Sequence, residues 1–234
     1  MFFLNVSIFI WGLLFGSFLN VIIYRLPRNL SIVFPGSFCP HCKQSIPLYR
    51  NIPLISFLIQ IGKCANCKNK ISIRYPAIEL INGCLWVLSF QNGNISTAII
   101  SSILCSCILA IIIIDFEHFI IPFKIILFSF SIIGLSLIII PENLNDCLFG
   151  ILFGVGYLGL VFIATSIVLK KQAMGYGDLI FIGLLGAWLG PVKVFYTIFI
   201  GAFLGITYFT YKQYLQKVEI KKLPFGTFLG IASI

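Results

Sequence analysis

FFLNVSIFIWGLLFGSFLNVIIY occupies residues 2–24 without a single charged side chain, and RLPR follows at once. A helix that crosses a membrane needs about 20 mostly apolar residues, so this stretch is long enough to cross. A cleaved signal peptide would carry its basic flank before the apolar core and a small-residue cleavage site after it. Here Arg25 and Arg28 come after the core, and no Ala-x-Ala site is visible. The stretch reads as a retained first helix with its N-terminus outside.

Composition extends that reading to the whole chain. The 234 residues are 59% apolar and 10% charged, whereas a soluble domain is about 45–50% apolar and about 25% charged. So little charge cannot cover a water-facing surface, which excludes disorder, a coiled coil and a soluble enzyme. The net charge of +9 would suggest nucleic acid in a soluble chain. In a membrane protein it follows from basic loops retained in the cytoplasm, so no nucleic-acid partner is expected. The basic loops should instead lie against anionic headgroups of the bilayer.

Residues 25–76 break the apolar pattern, with six prolines, eight Lys/Arg and no acidic residue. Apolar stretches then recur at 77–91, 97–114, 123–140, 147–169, 179–190, 194–210 and 223–234, the fifth and sixth separable or joined as one bent unit around Pro191. The expected fold is an all-α polytopic membrane protein of about eight transmembrane helices. Its expected parts are helix 1 at 1–24, a cytoplasmic loop at 25–76 and a transmembrane core at 77–234. With the N-terminus outside, only Lys193 of the 16 Lys/Arg falls in an external loop, while external PENLND (141–146) carries two acids. That bias of Lys and Arg toward one side supports the topology.

The loop contains CPHC (Cys39, Cys42) and CANC (Cys64, Cys67), 21 residues apart. Two such knuckles let four thiolates converge on one tetrahedral zinc, leaving no open position for a substrate water. A structural zinc site is therefore expected. Two disulfides or a redox pair are the rival readings, but disulfides need an oxidising compartment, and the charge bias places the loop in the cytosol. His41 reads as a solvated spacer, and Cys84, Cys105, Cys107 and Cys147 as small apolar residues within helices.

Seven acids exist, so each can be weighed. Glu142, Asp146 and Glu219 read as solvated, and Glu79 in RYPAIEL as a complement to a helix N-terminus. Asp115 ends the run IIII in IIIIDFEHFIIP, and Asp178 closes AMGYGD, so both fall at the cytoplasmic end of an apolar helix. Ionisable groups at such depth are costly and suggest function. Helix capping by Asp178 is the plainer alternative. Gly175 and Gly177 favour chemistry, since missing side chains let a substrate backbone approach. Carboxylates that share a site hold one proton between them. One then activates water while the other polarises a peptide carbonyl, which is aspartic-protease chemistry at a membrane surface. Glu117 and Glu79 remain secondary candidates, and His118 reads as part of a solvated turn.

Several segments together resemble one family, the prepilin peptidases or type 4 prepilin leader peptidases. They are GSFLNVIIYRLP (Gly16–Pro27), CPHC, NIPLISFLIQIGKCANC, ISIRYPAIELING, DFEHFIIP and GYGD. The resemblance implies Asp115 and Asp178 as the catalytic aspartates, GYGD as the family's GxGD motif, and Cys39, Cys42, Cys64 and Cys67 as zinc ligands. It implies cleavage of type IV prepilins or pseudopilins after a glycine that follows a basic leader, on the cytoplasmic side of a bacterial inner membrane. It also implies N-methylation of the new N-terminus with S-adenosylmethionine, although no glycine-rich nucleotide motif marks a methyl-donor site. The chain departs from the family at Glu117, where a second aspartate is frequent, and at Phe123, where aspartate often follows the IP. The alternatives are a polytopic transporter, which would hold its acids near the midplane, and a zinc-containing membrane scaffold or redox protein.

Overall fold

The structure, a computed structural model, describes residues 2–91, 94–170, 174–217 and 222–234. Glu219 lies outside the described residues. Among them there is no β-strand, only isolated bridges pairing Phe38 with Ser45 and Lys63 with Lys70. The helices are α1 (Phe2–Arg25), α2 (Ile55–Ile59), α3 (Arg74–Ser89), α4 (Ile95–His118), α5 (Phe123–Ile139), α6 (Leu144–Leu169), α7 (Tyr176–Thr210) and α8 (Phe225–Ser233). Among the described residues four stretches are long and apolar enough to cross a membrane: Phe2–Arg28, Ile95–His118, Leu144–Val168 and Tyr176–Leu215. Helix α3, with 16 residues, and α8, with nine, fall short of that length.

The chain divides into two compact units, Met1–Ser106 and Cys107–Ile234. In the first, α1 lies along α3 through Gly12 and Gly16, one turn apart. A Cβ at Gly12 would sit 2.7 Å from the Gly83 Cα, and one at Gly16 would sit 2.7 Å from the Glu79 Cα. Small residues let helix backbones approach closely where no water drives association. Polar side chains then bridge the seam. Asn82 donates to the Gly12 carbonyl at 2.7 Å, Ser106 donates to Asn82 Oδ1 at 2.8 Å, and Trp86 Nε1 donates to Ser106 Oγ at 2.9 Å.

The second unit turns on Gly190. Its φ of 78° interrupts α7 just before Pro191, a conformation that glycine adopts without strain. A Cβ on Gly154 of α6 would touch both Ile182 and Val194. In a straight helix those two residues are about 18 Å apart (12 residues at about 1.5 Å each), so α7 folds back as a helical hairpin. The apolar stretches 179–190 and 194–210 are therefore two antiparallel arms. Gly150 packs backbone to backbone against Gly186, so the first arm has no space for a side chain there. Helix α8 lies against the second arm at Gly201 and Gly205 and against α4 where Gly230 meets Ile112.

A Cβ at Gly150 would overlap the Gly186 carbonyl, whereas one at Gly156 meets nothing within 4 Å. Gly150→Leu should destabilise the protein by at least about 3 kcal/mol, the upper range for overpacking, and Gly156→Leu should change little. Thermal unfolding in detergent, followed by size-exclusion chromatography, compares the two.

Candidate active site and thiolate centre

Asp115 stands in the last turn of α4, directly after the buried Ile111, Ile112 and Ile114. The helix ends because Phe119 turns to φ 55° while its amide still bonds the Asp115 carbonyl at 2.8 Å. Asp178 is the third residue of α7, within its first turn. Both side chains are buried, at 5% and 9% exposure respectively.

The two carboxylates meet at the start of α8. Asp115 Oδ2 accepts the Thr227 amide at 2.6 Å and the Thr227 hydroxyl at 2.9 Å. The Gly226 amide faces Asp178, and a Cβ on the same glycine would stand 3.1 Å from Asp115 Oδ2. The first amides of a helix have no partner within it, and the helix dipole favours negative charge there. Helix α8 thus presents successive amides toward carboxylates from two other helices. Asp178 also accepts the Gly175 amide at 3.3 Å. Gly175 is the capping residue of α7, so Asp178 bonds back to the cap instead of being the cap itself.

Ile121 closes the floor. Its side chain lies 3.2 Å from where a Gly177 Cβ would stand and 2.9 Å from where a Gly226 Cβ would stand. The room expected beside both glycines for a substrate backbone is therefore present only at Gly175, whose nearest neighbour is Asp178 Oδ2 at 3.6 Å. At Gly177 the protein fills it. Glu117 is exposed and lies 4.0 Å from His118, whereas Asp115 is buried. Sequence reasoning missed Thr227, Gly226 and Ile121. The available signal was LPFGTFLG (Leu223–Gly230), a proline and glycine opening a short helix.

In the first unit the four predicted cysteines come together. The Sγ atoms of Cys39, Cys42, Cys64 and Cys67 all lie within 4.8 Å of one another, and Cys39 and Cys67 are 3.9 Å apart. Tetrahedral zinc with bonds of about 2.3 Å spaces its sulfurs about 3.8 Å apart, so the cluster fits that ion. The two knuckles repeat one backbone pattern. The Cys39 amide donates to the Gln44 carbonyl and Lys43 to Cys39, as Cys64 does to Asn69 and Lys68 to Cys64. Lys43 and Lys68 take matching φ values of 61° and 59°. Amides of Cys67 and Asn66 aimed at Cys64 bring its thiol down to about 6, so it is poised as a thiolate. His41 is exposed and stands outside the cluster.

Glu79 holds the same loop. It lies in the second turn of α3, so it does not complement that helix's own N-terminus. Its carboxylate accepts the Leu54 amide at 2.9 Å. Leu54 takes φ 59°, ψ −50°, and Ile55 N bonds Pro53 O at 2.6 Å, a strained γ-turn. Arg25, buried at the end of α1, donates to the Ser31 and Gly36 carbonyls at 2.9 Å each. Both contacts tie the cysteine loop to its flanking helices.

An apolar helical bundle that buries two carboxylates at one helix end, and carries a four-cysteine loop elsewhere, has the outline of a membrane-type protease. The description "Bacterial Peptidase A24 N-terminal domain" matches residues 10–92, and "Type IV leader peptidase family" matches residues 102–210. The chain belongs to the type IV leader peptidase family. It is 33% identical, over 95% of its length and 89% of the relative's, to a "Type 4 prepilin-like proteins leader peptide-processing enzyme" of Escherichia coli. It is 33% identical to a "Prepilin leader peptidase/N-methyltransferase" of Pseudomonas aeruginosa, covering 94% of this chain and 85% of the relative. To one of the same name from Stutzerimonas stutzeri it is 36% identical, covering 94% and 86%. No solved structure matches the chain significantly.

Metal analysis should find zinc bound to the purified protein, and Cys42→Ser should remove most of it. After chelation, a pulse of alkylating agent near neutral pH should label Cys64 first and Cys67 late. The Cys64 thiol sits at about 6; although the Asn69 amide pulls Cys67 down, burial and the neighbouring thiols push it up to about 11. Thiolates, not thiols, are the reactive form.

Proposed function

We propose that the protein is a membrane aspartic endopeptidase that removes the basic leader from type IV prepilins or pseudopilins after a glycine, and that it also N-methylates the new N-terminus. The observation that carries the reading is the meeting of Asp115 and Asp178 at the first turn of α8. Family membership supplies the substrate class and disfavours the transporter and scaffold readings.

The chemistry follows from the pair. Buried neighbouring carboxylates share one proton. The ionised one takes a proton from water as the water oxygen attacks the peptide carbonyl carbon. The protonated one hydrogen-bonds to the carbonyl oxygen. As the C–N bond breaks, the proton taken from water passes to the leaving amine. Gly175 offers the open side along which substrate backbone approaches.

The membrane topology belongs to the same proposal. Helices α1, α3, α4, α5, α6, the two arms of α7, and α8 form eight membrane segments with the N-terminus outside, in a bacterial plasma membrane. Helix α8 covers only about 14 Å (nine residues at about 1.5 Å), so it enters partway, with its first turn at the cytoplasmic face beside the aspartates. Zinc fits the four cysteines, which would hold the loop's shape and take no part in hydrolysis. S-adenosylmethionine, the methyl donor, is suggested by the names of the relatives.

Asp115→Asn and Asp178→Asn should each lower cleavage of a prepilin in detergent by about 10²–10⁴-fold, the span of a lost acid or base, with elution on size exclusion unchanged. Cleavage retained in either variant overturns the dyad. The mass of the product's N-terminus reads the second activity, since a methylated residue is heavier by one methyl group.

A further inference from the structure

We propose that Thr227 is a positioning residue for Asp115, and that α8 is thereby a third element of the peptidase site beside the two aspartate helices. The inference rests on the peptidase reading above. Thr227 lies beyond residues 102–210 that match the leader peptidase family description, and it comes from a stretch that sequence reading left without chemistry.

Both donors of Thr227 fall on one oxygen of Asp115, its amide at 2.6 Å and its hydroxyl at 2.9 Å. Two donors on one oxygen fix both carboxylate torsions and commit Oδ2 to the protein. Oδ1 is then the oxygen turned to water and substrate. The hydroxyl also lies 3.2 Å from the Ile112 carbonyl, one turn earlier on α4. It has a single hydrogen, and the charged acceptor makes the stronger bond. When Asp115 is the protonated member of the pair, that preference weakens and the hydroxyl can turn to Ile112. Thr227 can thus follow the charge on Asp115 through one rotation without leaving a buried donor unpaired.

The surrounding packing holds Thr227 in place. Thr227 is buried, with Phe228 and Leu229 buried behind it. A Cβ at Gly226 would stand 3.1 Å from Asp115 Oδ2, so the missing side chain at residue 226 gives the carboxylate room to reach the Thr227 amide. Tyr208 packs its ring against both Phe116 and Phe228, bracing α7 and α8 beside the residue that follows Asp115.

Thr227→Val keeps the shape and the amide but loses the hydroxyl; Thr227→Ser keeps the hydroxyl. With detergent-solubilised full chain and a prepilin substrate, Thr227→Val should lower kcat about 10- to 100-fold, the effect of a hydrogen bond to a charged group, with KM little changed. Thr227→Ser should restore most of kcat. A packing role predicts instead that Val is tolerated or that Ser is as damaging as Val, and either result overturns the inference. If Thr227→Val does not fold, the comparison moves to Thr227→Ala against Thr227→Ser, where equal kcat values would overturn it. Asp115→Asn, run alongside, separates the two levels. Were it to cleave, the dyad itself would fail; if it is inactive while Thr227→Val matches wild type, only the role of Thr227 fails.

Discussion

A carboxylate buried among isoleucines is tolerable only where donors meet it, because an unpaired charge in such surroundings is very costly. At Asp115 that need is met by the first turn of α8, through the Thr227 amide and hydroxyl. Much of the second unit can be read as the means of bringing that turn there. Helix α4 must end beside it, α7 must begin beside it, and α8 must be held against both. Capping and catalysis are not rivals in this arrangement. Asp178 bonds back to its own helix cap and faces Gly226, and Asp115 satisfies the start of a helix 112 residues away.

Close helix packing does the holding. Gly201 and Gly205 let α8 lie on the second arm of α7, and Gly230 lets it lie on Ile112 of α4. The first arm is set in turn by Gly150 and Gly154 of α6. Among lipid tails apolar area alone gives helices little reason to prefer each other over lipid, so contact depends on shape and on small residues. A side chain added at Gly150 or Gly230 would force the packing at these seams to shift. The glycines of GYGD divide the same way: one is open beside Asp178, and the other makes room for Ile121.

What the sequence disclosed was what is local in it. The knuckles of Cys39, Cys42, Cys64 and Cys67 were legible because each pair is set by a short turn, and one spacing then fixes the cluster. Asp115 and Asp178 stood out because charge is rare in apolar runs. The α7 hairpin was half legible, since Pro191 marked the bend, but the fold-back depends on Gly190 taking a positive φ. Thr227 was not legible. A threonine in an apolar helix is ordinary, and its role comes from a contact across the chain that no spacing announces. Glu79 was misplaced for a related reason: its proximity to a helix start suggested a dipole partner, while the amide it accepts, that of Leu54, lies 25 residues earlier.

The cysteine loop carries eight Lys/Arg and no acidic residue, yet a prepilin leader is itself basic. Repulsion between them would hinder encounter unless negative charge stands close. Within the loop itself the only available anions are its thiolates. Four thiolates around one zinc ion would make a net negative centre, and backbone amides of Cys67 and Asn66 already face the Cys64 sulfur. On the topology proposed above, anionic headgroups would supply the remainder at the bilayer surface, attracting the cations of the loop and of a basic leader alike.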